Sequence, residues 1–576
     1  MEVYLNNAAT SWPKPERVYE AADHYLRRFA SSQGRGGFRR SQEATDIIEN
    51  CRKNLARLFN VQDPSRLVFT KNCSEALNQA LKGFLRPGDH VITSSMEHNS
   101  VWRPLNILEK KGLISLTTVV CNEQGKIGLD DLKKAFRPET RLLVCAHASN
   151  VTGTLFPLAE ISHLAHSHKA YFLVDGAQTS GVYPVDITGL NIDLFACSGH
   201  KGLLGPQGTG ALYISPRLEL EPLLEGGTGS SSLSYFQPEI LPDRFETGTP
   251  NGPGLAGLGA GVKFILGTGV DVIRVKERHL TSMILERISQ VPGIIIFGPR
   301  DPDYQVAVVS FNVQNVNPEE VGTILDEVYD IAVRVGLHCS PQAHRTIGTI
   351  DTGTVRVSPG FFTTPADIDY FIDAIKEIAR KAGHVSRRRG KADPDLFVAG
   401  YKIQRAAPCF ADGQKIRVTA SLIDDVEELM PYLNAVLRGA YIPEGKTFTF
   451  SFEKRPVVLR PKQVVVGQTD SITDAEKTLD AVIGILNKVA ASRYDILPSV
   501  EPQKQLNPFA LYKALPRTNC KECGEQTCIA FATAVVKGGK KLEQCLHLKG
   551  DPRKELSRLL TEYFEGLLPT GEEFIL

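Results

Sequence analysis

The sequence predicts an α/β protein of several domains: a large domain on a mainly parallel sheet, a small α/β lobe, an α+β domain and a short cysteine-bearing domain. Three observations carry this. The 576 residues exceed what one core holds at roughly 100–200 residues per domain. From about residue 65 to 215, short β-branched runs alternate with helical patterns, which reads as strands joined by helical crossovers. The hydrophobic pattern then changes near residues 255 and 396, as expected where one folding unit gives way to another.

Taken in order, residues from about 15 to 254 make the large domain. RLVFT (66–70), DHVITSS (89–95), RLLVCAHAS (141–149) and AYFLVDG (170–176) read as strands, with SEALNQALKGFL (74–85) and AEISHLAHSHK (159–169) as helices. Gly252-Pro253-Gly254 is expected as a hinge. Beyond it, from 255 to 383, longer helices surround the strands GIIIFG, QVAVVSFNV and GTVRVSPG; this small lobe also takes in the N-terminal segment. Residues 384–395 (HVSRRRGKADPD) are charged and lack apolar periodicity, so they read as a solvated linker. In 396–505, KIRVTASL, TFTFSFE and PVVLRPKQVVVGQ read as strands, with helices near 423–438 and 472–491. The last domain, 506–576, holds a cysteine cluster and a short helical tail.

Composition narrows the function. Hydrophobic residues are 42% and charged residues 23%, an ordinary globular balance. Sixty-six basic against 65 acidic residues give +1, so no excess charge drives binding to nucleic acid or an anionic membrane. The start MEVYLNNAATSW has none of the regions of a signal peptide, and no apolar run reaches spanning length. The expectation is a soluble, cytoplasmic protein without nucleic-acid or membrane partners. Eleven cysteines, an odd number in such a chain, point to thiol chemistry or metal ligation rather than disulfides.

Chemistry concentrates in three segments. In SGHKGLLGPQGTGALY (198–213), Lys201 sits in a glycine-rich loop before a strand; in LVDGAQ (173–178), Asp175 ends a hydrophobic strand, at the carboxyl edge where open α/β sheets bind ligands. In FTKNCSEALN (69–78), Asn72, Cys73 and Ser74 fall at a strand-to-helix turn, whose free N–H groups and helix dipole favour a phosphate. Ser198 and His200 offer donors from the opposite loop. Each alone has an ordinary reading, as a surface charge or a cap. Together they are the set pyridoxal phosphate needs: a lysine for the Schiff base, a carboxylate beside the ring nitrogen, and a phosphate cradle.

Residues 1 to about 383 resemble the fold-type I, class V pyridoxal phosphate enzymes, the Suf-type cysteine desulfurases and selenocysteine lyases in particular. The resemblance lies in YLNNAATSWPKP, EHNS (97–100), SNVTGT (149–154), DGAQ, SGHK, RFETGTPN (244–251) and RVGLHCSP (334–341). It implies that Lys201 carries the cofactor, Asp175 pairs with the ring nitrogen, His98 stacks on the ring and Gln178 contacts the phenolic oxygen. It also implies that Cys73, Ser74, Ser198 and His200 hold the phosphate and that Thr249 reaches the neighbouring subunit's cofactor, hence a homodimer. Arg356, with Asn150 and Arg334, would bind the substrate carboxylate, a task that suits the planar guanidinium. Two positions depart from the pattern: Cys73-Ser74 stands where many relatives have two threonines, and GGTGS occupies 226–230.

Cys339 separates the possible reactions. An isolated cysteine usually packs as a small apolar residue, but this one follows Arg334 and His338 and precedes Pro341, a loop setting whose positive charge favours a thiolate. It matches the family's nucleophile. The resemblance implies that L-cysteine, or L-selenocysteine, loses its Cα proton to the freed lysine, that Cys339 takes the sulfur as a persulfide, and that alanine leaves. A protein partner or the chain's own C-terminal domain would accept the sulfur. An iron–sulfur electron carrier or assembly scaffold on a non-catalytic platform is the rival reading.

Cys520, Cys523, Cys528 and Cys545 follow with gaps of two, four and sixteen residues. Four thiolates suit zinc or an iron–sulfur cluster, although zinc modules more often use two close pairs. LPRTNCKECGEQTCIAFA resembles the small domain of corrinoid iron–sulfur proteins, which implies a [4Fe–4S] cluster. Residues 396–505 offer only Cys409 as a possible sulfur acceptor, and an ordinary packed cysteine explains it as well.

Overall fold

Alternate residues of the central strands serve two different cores, and this builds the large domain of the computed structural model. Leu142, Val144, Leu173, Leu194 and Ala196 pack on one face with the helices Cys73–Phe84 and Asn99–Lys110. Leu143, Cys145, Phe172, Val174 and Phe195 pack on the other with the helices Arg39–Leu58, Leu158–Ser167 and Gly252–Thr268. A sheet covered on both faces needs near-continuous apolar strands, which is why LLVCA and FLV within RLLVCAHAS and AYFLVDG are unbroken runs. The sheet has seven strands, ordered Leu67–Thr70, Gly210–Ile214, Leu194–Ser198, Tyr171–Asp175, Thr140–Ala146, Asp89–Ser94 and Ile114–Val119. Six run in the same direction; Gly210–Ile214 alone is reversed, antiparallel to both its neighbours.

The structure describes residues 2–29, 31, 38–388, 397–408, 415–453, 455–501, 511–512, 515–536 and 544–548. Cys409, residues 389–395 of the expected linker and the expected C-terminal helical tail lie outside them. The chain divides into two units, Met1–Arg388 and Arg389–Leu576. Among the described residues no single helix is long and apolar enough to cross a membrane.

The small lobe of the first unit has an antiparallel sheet, ordered Arg334–Gly336, Thr354–Val357, Val309–Val313 and Ile294–Phe297. The N-terminal Val3–Tyr4 pairs with Ile331–Ala332, and Val3 and Leu5 enter the same core as Phe311 and Phe371. That pairing carries Asn6 to Ala9 toward the mouth of the large sheet.

Two expectations are corrected here. Gly252-Pro253-Gly254 is no hinge but the first turn of the helix Gly252–Thr268: Asn251 caps it, accepting from the Gly254 N–H at 3.1 Å, and Pro253 occupies the first turn, where its missing N–H costs nothing. Gly252 serves close packing, since a Cβ there would lie 2.3 Å from the Tyr25 ring. The expected linker also begins late, because the helix Pro365–Arg388 continues through residues 384–388.

In the second unit a six-stranded antiparallel sheet, ordered Tyr401–Pro408, Ile416–Leu422, Gln463–Thr469, Arg455–Arg460, Thr447–Phe452 and Gly439–Ile442, shares a core with the helix Ile472–Ala491. The C-terminal segment contributes the helix Cys528–Val536 and a small core around Phe531.

Candidate active site and cysteine cluster

Ala146, Asp175 and Ser198 are the last residues of three adjacent parallel strands, and they line one cavity of about 220 Å³. The cavity gathers most of the residues singled out in the sequence: Asn72, Cys73, Ser74, His98, Asn150, Asp175, Gln178, Ser198, His200, Lys201, Arg334 and Arg356. Three chain segments far apart in sequence meet here: the carboxyl edge of the large sheet, the small-lobe strands, and Ala8 and Ala9 from the N-terminus.

At one end, Asn72 caps the helix Cys73–Phe84, its side chain accepting from the Glu75 N–H at 2.9 Å. The first helical N–H groups, at Cys73 and Ser74, have no place in the intrahelical ladder, so the turn can accept an anion. Ser74 Oγ lies 2.6 Å from Ser100 Oγ. His200 is held through its carbonyl, which accepts from Ser11 N at 3.0 Å and Thr10 Oγ1 at 3.1 Å, while its buried Nδ1 has no partner among the described residues. Burial, then Lys201 and Lys14, push its imidazole down to about 4, so the ring is neutral.

In the middle, burial first, then Arg356 and Arg334, lower the Lys201 amine, with Asp175 and Cys73 opposing. The result favours the uncharged, nucleophilic amine. Cys73 turns its thiol away from the helix start and donates to Asp175 Oδ1 at 3.3 Å; burial keeps that thiol protonated. The Ala177 N–H also donates to Oδ1, at 3.0 Å, so Asp175 is fixed while facing the cavity. Gln178 Nε2 donates to the Ala8 carbonyl at 3.2 Å. His98 caps the helix Asn99–Lys110, its Nδ1 accepting from the Ser100 N–H at 3.1 Å; that bond places the ring proton on Nε2. Burial first, then Lys201, push it down to about 4.

At the mouth, Arg334 and Arg356 stand directly opposite each other on paired strands, and among the described residues neither has an acidic partner. Arg356 is 1% exposed; it donates to the Asn150 carbonyl at 2.9 Å and to Asn6 Oδ1 at 3.1 Å, and its Nε has no partner among the described residues. Two facing guanidiniums without a counter-charge are costly unless an anion arrives. Arg334 Nη2 donates to Cys339 Sγ at 3.2 Å. Cys339 is exposed and stands at the rim rather than in the cavity lining.

The Cys339 loop is strained and pinned. His338 and Cys339 both have positive φ, 49° and 61°, a left-handed conformation that costs non-glycine residues roughly 1–2 kcal/mol each. The Asn99 N–H donates to the Cys339 carbonyl at 2.9 Å. Asn150, expected to bind substrate, spends both ends of its amide on this loop: Nδ2 donates to the His338 carbonyl at 2.7 Å, and Oδ1 accepts from Ser340 Oγ at 2.7 Å. Sequence reasoning missed this clamp, along with Asn6 and Ser100, although all three residues lie in the quoted segments. Thr249 is exposed and lines a separate cavity of about 300 Å³ with Thr247 and Glu246.

These residues fit pyridoxal phosphate. The cavity offers a low-lying amine, a fixed carboxylate, an open helix N-terminus and an unpartnered imidazole nitrogen, as a phosphorylated pyridine aldehyde requires. In the second unit Cys523, Cys528 and Cys545 gather at the Phe531 core. The chain around them has left-handed residues at Arg517, Asn519, Lys521 and Gly524. Asn519 braces the loop, its N–H donating to Cys528 Sγ at 3.3 Å and its Oδ1 accepting from the Cys528 N–H at 2.8 Å. Converging soft thiols around a turning backbone fit an iron–sulfur cluster.

Comparison with known proteins agrees with this geometry. Residues 3–371 match the family model described as aminotransferase class-V, and residues 515–547 match one described as "Putative Fe-S cluster". A cysteine desulfurase from Salmonella agona is 35% identical over 390 residues, covering 66% of this chain and 94% of that one. The apo structure of a cysteine desulfurase from Thermococcus onnurineus NA1 superposes with a TM-score of 0.63 at 34% identity, covering 66% of this chain and 95% of that one. A cysteine desulfurase from Escherichia coli gives 0.60 at 30%, covering 67% and 95%.

Proposed function

The chain belongs to the aminotransferase class-V family, enzymes of the pyridoxal-phosphate fold type I, and on that premise we propose that it is a Suf-type cysteine desulfurase that converts L-cysteine to L-alanine. The observation that carries the reading is the rim of the cavity: a buried guanidinium with no counter-charge, Arg356, beside an exposed cysteine bonded to Arg334 at 3.2 Å. An aminotransferase has no use for that cysteine.

Lys201, Asp175, Gln178, His98, Ser74 and His200 would hold the cofactor. Once bound there, it supplies an electron sink for the pair released when the substrate's Cα–H bond breaks. Arg356 binds the substrate's carboxylate by charge-assisted hydrogen bonds. The Lys201 amine takes the Cα proton in its uncharged form, which burial and the two nearby guanidiniums favour. The Cys339 thiolate attacks the substrate's sulfur; the S–S bond forms as the Cβ–S bond breaks, Cβ takes a proton, and Lys201 returns the proton to Cα to complete alanine. The persulfide stays on Cys339, exposed to an acceptor. Leu233, Tyr235, Phe236 and Ile240, 68–101% exposed, supply apolar surface ahead of Thr249 that supports a homodimer.

The C-terminal segment is read as a [4Fe–4S] domain of the kind carried by corrinoid iron–sulfur proteins, ligated by Cys520, Cys523, Cys528 and Cys545. It either receives sulfur during assembly or delivers electrons to the persulfide. The test is anaerobic purification followed by assay of alanine and sulfide from L-cysteine, with L-selenocysteine in parallel. Lys201→Ala should form no alanine, and Cys339→Ala should bind cofactor without releasing sulfur. Wild-type turnover of cysteine by Cys339→Ala would overturn the reading.

A further inference from the structure

The four cysteines of the second unit are not equivalent. Cys528 is buried in the core formed with Leu511, Phe531 and Leu548, and Cys523 and Cys545 pack against it. These three thiols therefore share one neighbourhood. Cys520 stands outside that core. Its Sγ, a carboxylate oxygen of Glu522 and a ring nitrogen of His547 all lie within 4.8 Å of one another, and His547 Nε2 is 2.9 Å from Glu522 Oε2.

The spacing is that of donors able to share one ion. Sulfur and nitrogen ligands at about 2.3 and 2.0–2.1 Å from a metal lie at most ~4.4 Å apart, so Cys520 and His547 need only a small adjustment to meet on the same iron. Imidazole is an accepted ligand of cluster iron. Both His547 and Glu522 are exposed, which leaves them free to move, and the chain reverses at Cys520 through left-handed residues on either side, Asn519 at 49° and Lys521 at 65°. Among the described residues this is the one place where three such donors gather.

We propose that His547 is a second donor to the iron at the Cys520 corner of the cluster, so that this corner alone keeps its iron when its thiolate is lost. The exchange replaces a thiolate by a neutral imidazole and transfers no electrons. Glu522 accepts a hydrogen bond from the ring and orients it, as carboxylates do for metal-bound histidines. The inference rests on the [4Fe–4S] reading of this segment.

The experiment uses the full-length chain purified without oxygen, with iron counted per subunit in the wild type, Cys520→Ala, Cys528→Ala and Cys520→Ala/His547→Ala. Cys520→Ala should keep most of the wild-type iron, and the reduced cluster should show magnetic coupling to an imidazole nitrogen. The double variant should fall to the level of Cys528→Ala and lose the coupling. His547→Ala alone should keep its iron but release it to a chelator about tenfold faster, the size of effect typical when a supporting group at a metal is lost. Loss of iron from Cys520→Ala as complete as from Cys528→Ala would overturn the inference, as would a double variant that retains what the single one does. Iron-free or zinc-loaded wild-type protein would instead overturn the cluster reading, and the inference with it.

Discussion

Replacing Asn150 by alanine separates two roles for one side chain. The amide makes two buried hydrogen bonds, to the His338 carbonyl and from the Ser340 hydroxyl, each at 2.7 Å. At about 1 kcal/mol apiece, Asn150→Ala removes ~2 kcal/mol from a loop that already carries two left-handed residues at a cost of roughly 1–2 kcal/mol each. The clamp is therefore comparable to the strain it holds, and a loss of that size lowers the population of the poised loop by about 10- to 30-fold. Steady-state alanine release should show kcat reduced by that factor with KM for L-cysteine nearly unchanged, and a thiol reagent should label Cys339 at an altered rate. A large rise in KM at constant kcat would refute the reasoning and restore Asn150 as a carboxylate ligand.

Arg356→Met should raise the KM for cysteine by roughly 10- to 100-fold, as expected for a lost charged hydrogen-bond partner worth about 1.5–3 kcal/mol, and should raise the melting temperature of the cofactor-free protein, because an unpaired buried charge is removed; a lowered melting temperature would count against the unpaired state. Cys73→Ala should weaken cofactor binding and shift the pH dependence of the bound cofactor's absorbance, since Asp175 loses the donor at 3.3 Å, and Cys73→Ser should restore both; identical titrations in all three proteins would remove that role. The cofactor-free catalytic unit should lose stability as pH falls from about 6.5 to 4.5. His98, His147, His200, His338 and His344 are all pushed below their ordinary range by burial, so the unfolded chain takes those protons first. Glu97 and Glu277, pushed up to about 8 by burial, oppose them, because the folded state holds their protons. The net uptake on unfolding is about three protons, or ~4 kcal/mol per pH unit; urea midpoints that stay flat over this window would contradict the assignment.

Most of the large sheet was legible because strands covered on both faces show as unbroken apolar runs, and Asp175 could be placed at its carboxyl edge for the same reason; Leu194–Ser198 and Ile114–Val119 were not read. The strands Tyr401–Pro408 and Gly439–Ile442 were not read, and both are edge strands, where one side meets solvent and residues such as Lys402, Gln404 and Arg405 blur the alternation. The supposed hinge at Gly252 failed because glycine there answers to the Tyr25 ring, a contact that no local pattern announces. Lys201 and Asp175 were found from short motifs, each carrying its own chemistry, whereas Arg356 came only from the resemblance to the family. The pairing of Arg334 with Arg356, the Cys73 contact to Asp175 and the Asn150 clamp join residues up to 190 positions apart; the first two exist only once each lobe has folded, and the clamp only once the two lobes meet.

The central claim is that sulfur leaves the substrate on Cys339. The most direct measurement is a single turnover of the full-length, cofactor-loaded chain with one equivalent of L-cysteine, alkylation, and mass analysis of the peptides. The account predicts one added sulfur atom on the peptide containing Cys339, with alanine formed in equal amount. Alanine without added sulfur on that peptide, or sulfur found on Cys73 instead, would contradict it.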